Sequence, residues 1–389
     1  MSRILNKRKS FILFVGVGLV CIFLLVTSGK AQEKKPINIG FTTDFSGVTA
    51  SFGITEAPVV EMVVKEVNAA GGINGRPIKL FVQDNAADPA KTVGILKMFK
   101  ELNKCTAIIQ GVTSSTGIAA KAWAEQNYIP IISPDPATDQ LIQKEGKSWW
   151  FRTEVPISIR ILTSLPRLKE LGHDKVGFEG STLAWGTDGL RSLKEYAPKY
   201  NVKVVGEVLC EPKTKDLTIQ AMRLRDAGAQ AVICVEYEAE GGVWARALKS
   251  IGWKPYLFHG SAAVFATTLR TNPPELFEDW EIAQQIDLTK PAVKKVWDKY
   301  ETYTGKRYED EKIPRTWDAV HLLLEAIKLS GNPDDPEAIR EGFYKIKNFP
   351  LAVGRKDTMG SFEIGRNHLV TEKDMVIYVT KSGKLVLAK

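Results

Sequence analysis

The sequence predicts an α/β protein built from two mostly parallel sheets flanked by helices. Three observations carry this. Short apolar, β-branched runs alternate with amphipathic helical patterns from residue 37 to about residue 258, and such alternation means parallel strands joined by crossover helices that cover both faces. That stretch holds enough strands for two such sheets. The chain has 389 residues, 44% hydrophobic and 25% charged, which is ordinary globular composition. At roughly 100–200 residues per domain it holds two or three cores.

The elements follow in order. Ile37–Phe41 reads as a strand and Thr42–Gly47 as a polar turn. A helix is predicted from Glu56 to Ala70, because Val60, Val63, Val64 and Val67 share one face. Pro58 then falls in its first turn. Gly71-Gly72 ends that helix and Asn74-Gly75 turns the chain. Ile78–Gln83 is a strand. Asp88-Pro89 caps a helix whose apolar face is Ile95, Met98, Phe99 and Leu102. Thr106–Gln110 is a strand, Gly111–Gly117 a polar turn leading into a helix to Asn127, and Tyr128–Ile132 a strand. The alternation resumes with strands at Lys175–Phe178, Val202–Leu209, Ala231–Val235 and Pro255–Phe258. The helices between and around them are Asp188–Tyr196, Asp216–Ala227 and Gly242–Ile251. Thr153–Pro156 is the natural first passage between the two sheets. The last third differs: helices at Lys290–Tyr303, Arg315–Leu329 and Pro336–Tyr344, then antiparallel strands at Phe362–Ile364, Met375–Thr380 and Lys384–Leu387, with a hairpin turn at Ser382-Gly383. No repeat of 20–50 residues with a fixed signature appears, which argues against a solenoid.

The formal charge of +8 has a local origin. Arg3, Lys7, Arg8 and Lys9 precede an apolar run from Phe11 to Val26, and Ser28-Gly29-Lys30-Ala31 follows. This is the pattern of a secretory signal peptide cleaved after Ala31. An uncleaved anchor is the alternative, and lipidation at Cys21 is disfavoured by the bulky Val20 before it. Without residues 1–31 the charge falls by five, to +3, over 358 residues of interspersed sign. No basic block with interleaved aromatics remains, which argues against nucleic-acid binding. Cys105, Cys210 and Cys234 are an odd number, so at least one thiol is unpaired. A Cys210–Cys234 bridge is conceivable, and buried free thiols are the simpler reading for all three.

Catalytic signatures are missing. The mature chain has no G-x-G-x-x-G, no G-x-x-x-x-G-K-[ST], no G-x-S-x-G and no H-E-x-x-H. The histidines 173, 259, 321 and 368 show no metal-ligand spacing with one another or with cysteine. These absences favour a binding protein over an enzyme, with no cofactor and no metal. The chemically rich segments are polar turns after strands, where open parallel sheets bind ligands. They hold Asp44, Ser46 and Phe52; Thr113 to Thr116; Asp135; Trp185; and Tyr237 with Glu238. The Thr/Ser run precedes a helix, whose first N–H groups attract an anion. Plain helix capping explains the same residues. Trp185 can stack on a ligand or cover the sheet, and the acids can meet an ammonium group or face water.

"INIGFTTDFSGVTASFG" (Ile37–Gly53), "NAAGGINGRPIKLFVQDNAADPAKTV" (Asn68–Val93) and the stretch from Ile108 to Thr138 resemble the branched-chain amino-acid-binding proteins. These are type I periplasmic solute-binding proteins of ABC importers. "FRT" at Phe151–Thr153 and "WDAVHLLLEAI" at Trp317–Ile327 are similar as well. The resemblance covers essentially the whole mature chain. It implies a two-lobed type I periplasmic-binding fold with three hinge crossovers. The lobes would be residues 36–153 with 284–350, and 154–283 with 351–389. It implies an exported, monomeric receptor that closes on an amino acid with a branched or aromatic side chain and delivers it to a membrane permease. A ligand sensor of the same fold is an alternative. The family's ligand positions fall on Phe52, Thr113, Ser114, Asp135, Thr138, Trp185, Tyr237 and Glu238, with Thr113 and Ser114 on the ligand carboxylate. One departure stands out. The family's amino-acid binders often carry an acid just after the strand near Phe258, and this chain has His259-Gly260-Ser261. Asp135 or Glu238 takes over the ammonium, or the ligand is an aromatic carboxylate or a small amide.

Overall fold

Ile39 to Thr43 are buried in unbroken succession, so the first strand is buried on both faces and sits inside a sheet. The computed structural model describes residues 34–388, and the predicted signal segment lies outside them. The first sheet is built from β1 (Ile37–Thr43), β2 (Ile78–Asp84), β3 (Ala107–Gln110), β4 (Ile131–Ser133) and β5 (Trp150–Arg152). Its order is β2-β1-β3-β4-β5, all parallel. Helices α1 (Ala50–Ala69), α2 (Pro89–Glu101) and α3 (Ser114–Asn127) connect the strands.

The chain then passes through 153–156 into α4 (Ile157–Glu170) and a second sheet. Here β6 (Lys175–Ser181), α5 (Ala184–Tyr196), β7 (Lys203–Cys210), α6 (Thr218–Asp226), β8 (Ala231–Val235), α7 (Glu238–Ser250), β9 (Tyr256–His259), α8 (Ala262–Thr271) and β10 (Glu281–Gln284) follow. Three helices return towards the first sheet: α9 (Pro291–Thr304) and α10 (Lys312–Ser330), both against α1, and α11 (Pro336–Lys345) against α10. A small antiparallel pair, β11 (Phe349–Pro350) and β12 (Met359–Gly360), precedes β13 (Val376–Lys381) and β14 (Lys384–Leu387). The second sheet runs β14-β13-β10-β9-β8-β6-β7, with only β13 and β14 antiparallel. Among the described residues no helix is long and apolar enough to cross a membrane.

Both parallel sheets therefore share one winding. The second-formed strand lies outside the first, and the third lies on the first strand's other side. Successive connections leave to opposite faces at β1/β3 and at β6/β8, and each such switch point opens a crevice at the carboxyl ends of the strands.

Several local expectations need correction. α1 begins at Ala50, six residues before the predicted start, because Asp44 organises the preceding turn. Its carboxylate accepts N–H bonds from Ser46 and Thr49, at 3.0 and 2.7 Å, and the Thr49 hydroxyl at 2.8 Å. Pro58 thus lies inside the helix. Its missing N–H leaves the Ile54 carbonyl without the usual helical bond, and Ile54 is 60% exposed, where water can replace that bond. Tyr128 is the left-handed C-cap of α3 (φ 56°), which delays β4 to Ile131. Residues 362–364 make no strand, only an isolated bridge between Glu363 and Arg366. The Ser382-Gly383 hairpin turn is as expected, with φ of 49° and 76° at its two centres. Cys105, Cys210 and Cys234 are all free and buried.

One edge of the first sheet carries a pH dependence. His368 pairs with Arg152 in a parallel bridge beyond β5. Burial, then the positive charges of Arg152 and Arg366, push its imidazole down to about 3. The unfolded value is about 6.5, so in the window between the two the unfolded chain binds the extra proton. The contribution of His368 is fully present above pH 6.5 and is lost as pH falls towards 3. Denaturant unfolding of His368→Gln is expected to show a shallower loss of stability on acidification than the parent. The difference reaches about 1.4 kcal/mol per pH unit at its steepest. Equal slopes in the two proteins would remove this assignment.

Candidate functional site

The two crevices face one small cavity. Its wall is Phe52, Val112, Thr113, Ser114, Asp135, Ala137, Glu154, Arg160, Trp185, Tyr237, Ser261 and Arg315. Each residue reaches it from the end of a strand or the start of a helix. Phe52 is in the first turn of α1. Thr113 caps α3, and Ser114 is its first residue. Trp185 opens α5 and Tyr237 caps α7, so the second sheet's crevice contributes aromatics where the first contributes hydroxyls.

At α3 the capping reading holds. Thr113 Oγ1 accepts from Thr116 N at 3.4 Å, and Thr113 N donates to Thr116 Oγ1 at 2.5 Å. This reciprocal pair is a capping box. It leaves the N–H groups of Ser114 and Ser115 ahead of the helix's first internal bond, from Gly117 N to Thr113 O. Thr113 and Ser114 are 2% and 3% exposed, so any partner they take is shielded from water. The opposite wall is apolar. The rings of Trp185 and Tyr237 meet edge to face, 5.2 Å apart.

A buried ionic cluster closes the third side. Arg315, in the first turn of α10, donates to Asp135 Oδ1 at 2.6 Å, to Glu154 at short range and to Glu311 at 3.4 Å. Arg160 donates to Glu154 at 2.7 Å and to the Ala283 carbonyl at 2.6 Å. The wall itself carries Asp135 and Glu154 against Arg160 and Arg315, so its formal charges balance. Behind it, burial raises the Glu56 carboxyl well above the usual range, and the charge of Asp135 adds to this. Glu311 is also raised, again by burial.

Of the eight residues expected from the sequence, Phe52, Thr113, Ser114, Asp135, Trp185 and Tyr237 come together on this wall. Thr138 and Glu238 do not. Thr138 turns away to donate to Asp188 and to cap the short helical turn at 139–141. Glu238 accepts from Ser51 at 2.6 Å and from Lys312 at 3.1 Å, and so ties α7 to α1 and α10. Asp135 is on the wall but not free. Arg315 occupies one oxygen, and Val112 N donates to the other at 3.1 Å. Glu154, Arg160, Ser261 and Arg315 were missed. The bonds of Arg315 to Asp135 and Glu154, and of Arg160 to Ala283, each span over a hundred residues. The one local signal was a charged residue in the first turn of an amphipathic helix.

Residues 36–384 match the family profile described as periplasmic binding protein. The chain belongs to the periplasmic binding protein family. "Leu/Ile/Val-binding protein homolog 7" of Brucella melitensis is 21% identical to it over 378 residues, covering 92% of each chain. Among solved structures, a type 1 periplasmic binding protein from Bordetella pertussis superposes with a TM-score of 0.82 at 20% identity, covering 91% of this chain and all of that one. LivJ from Streptococcus pneumoniae, described as a branched-chain amino acid transporter substrate-binding protein in complex with isoleucine, has a TM-score of 0.78 at 21% identity, covering 91% and 99%. The resemblance read from the sequence thus holds, as does the two-sheet α/β fold. This periplasmic binding protein is a solute-binding protein rather than an enzyme, and its family is extracytoplasmic.

Proposed function

We propose that this chain is the receptor of an ABC importer and captures an amino acid with a branched or aromatic side chain. The observation that carries this is the cavity's division of labour: helix N–H groups, hydroxyls and Phe52 on one side, Trp185 and Tyr237 on the other, and a charge-balanced wall between. The ligand carboxylate meets Thr113, Ser114 and the start of α3. Phe52, Trp185 and Tyr237 surround the side chain. The ammonium faces the acidic members of the cluster, Asp135 and Glu154. A balanced wall suits a zwitterion better than a lone anion, which would bring an uncompensated charge into a buried space. Export by residues 1–31, closure of lobes 36–153 with 284–350 on lobes 154–283 with 351–389, and delivery by a monomer to membrane permease subunits complete the reading.

One observation favours a second ligand class. Ser261, not an acid, stands on the wall after β9, and both oxygens of Asp135 already have donors. A small amide or an aromatic carboxylate needs no ammonium partner there. Thermal-shift screening with leucine, isoleucine, phenylalanine, benzoate and small amides separates the classes. A ligand at 100 times its Kd adds about 2.7 kcal/mol of stability. If neither class raises Tm or gives heat in calorimetry, the reading fails. The double variant Thr113→Ala, Ser114→Ala is expected to lose at least tenfold in affinity. It also loses about 1 kcal/mol of stability through the cap, which leaves the fold intact by circular dichroism. Unchanged affinity would move the site elsewhere.

A further inference from the structure

Neighbouring strands of the second sheet bring together a cluster behind the wall just described, none of whose members lines the cavity. Glu179 lies on β6, Cys234 on β8 and His259 at the end of β9. Register places Glu179 beside Cys234 and Cys234 beside His259, so all three side chains share one face. Glu236 follows two residues after Cys234, and Cys210 ends β7. All five are at most 3% exposed. One ligand atom each from Glu179, Cys234 and Glu236 lies within 4.8 Å of the others. The sequence did not mark this set, because Glu179 on β6 joins Cys234 and Glu236 at the end of β8 only through strand pairing.

The cluster lacks donors for its acids. No hydrogen bond reaches either carboxylate oxygen of Glu236 or Oε2 of Glu179. The Cys210 thiol lies 3.4 Å from Glu179 Oε1 and donates to it. His259 Nε2 stands 3.2 Å from Glu236 Oε1 without hydrogen-bond alignment. Buried carboxylates in this state are costly unless a cation or a proton compensates them.

We propose that Cys234 Sγ, Glu179 Oε2 and the two oxygens of Glu236 bind a structural zinc ion. Zinc takes thiolate at about 2.3 Å and carboxylate at about 2.0–2.2 Å in closed four-coordinate sites. The observed spread contracts by roughly 1 Å to reach that geometry. A thiolate among the donors selects against magnesium and calcium, which take oxygen ligands. Binding releases the Cys234 proton to solvent during folding. His259 stays outside the coordination sphere. Its Nδ1 accepts from Ser261 N at 3.0 Å, so the neutral ring carries its proton on Nε2, facing Glu236. It stands beside that carboxylate, where outer-shell groups sit around a metal. It also connects the ion to Ser261 on the cavity wall.

The site is buried, so it is loaded during folding. The full chain is unfolded in guanidinium with a chelator, then refolded with and without zinc chloride. The expected result is one zinc per chain after gel filtration and a higher unfolding midpoint than the metal-free sample. Cobalt in place of zinc is expected to give a thiolate-to-metal charge-transfer band. Cys234→Ala loses the band and the retained metal, and Cys105→Ala, in the first sheet's core, keeps both. Parent protein that retains no zinc overturns the proposal, and the cluster is then a carboxyl pair sharing a proton. Zinc retained by Cys234→Ala at the parental level overturns it too. The parental result decides the matter even where the variant does not fold, and it does not depend on which solute the cavity takes.

Discussion

Arg315→Ala is expected to cost about 3–5 kcal/mol of folding stability, the range for removing one partner of a buried ion pair. The side chain is 1% exposed and is the shared donor for Asp135, Glu154 and Glu311. Without it three carboxylates face one another, with Arg160 as the remaining guanidinium among them. Lysine is no substitute, because a single ammonium cannot serve acids on three sides as a planar fork does. Arg315→Lys should therefore recover less than half of the loss. Adding Asp135→Asn to Arg315→Ala removes one uncompensated charge and is expected to restore part of it. Denaturant titration of the four proteins measures these values. A loss under 1 kcal/mol for Arg315→Ala would mean that the cluster does not hold the passage between the sheets together.

Gly186→Ala is expected to damage both stability and solute binding. A methyl group there would sit 2.1 Å from the Ser181 carbonyl oxygen and 2.5 Å from Ser181 N, at the buried end of β6. Backbone cannot yield as a flexible side chain can, so α5 must shift outward. Overpacking of this kind costs about 1–3 kcal/mol. Trp185 is the adjacent residue, and its indole moves with the helix. Affinity for the cavity's solute should therefore fall at least tenfold. Gly94→Ala is the control, since Gly94 is in α2 with nothing within 4 Å of the added methyl group. It should be neutral or stabilise by up to about 1 kcal/mol. Parental affinity in a folded Gly186→Ala protein would show that the α5 start does not position the cavity.

The difference between these residues and the well-predicted ones is one of range. Asp88-Pro89 announced α2 because a cap acts within one turn, and Asp88 does accept from Lys91 N at 2.6 Å. Ser382-Gly383 announced a hairpin for the same reason. Thr113 and Ser114 were visible as a hydroxyl pair before a helix, and Trp185 and Tyr237 as aromatics after strands. Arg315 gave no comparable sign. Its acids are supplied by Asp135 and Glu154, 180 and 161 residues earlier, and only packing of α10 on the first sheet brings them near. Thr138 and Glu238 lie off the cavity wall for the opposite reason. They sat at the right places in the chain, but Asp188 and Lys312 claimed their polar atoms.

By itself the sequence determined the α/β class, the order of most strands and helices, the family resemblance and six residues of the cavity wall. Those follow from periodicity, caps and turns, whose causes span a few residues. The tertiary structure decided where α1 begins, which acids are neutralised by which arginines, and which polar groups are left without donors. These depend on desolvation, and desolvation is set by what packs on a group from elsewhere in the chain. Glu179, Cys234 and Glu236 are unremarkable as letters and become a candidate metal site only when β6 and β8 lie side by side.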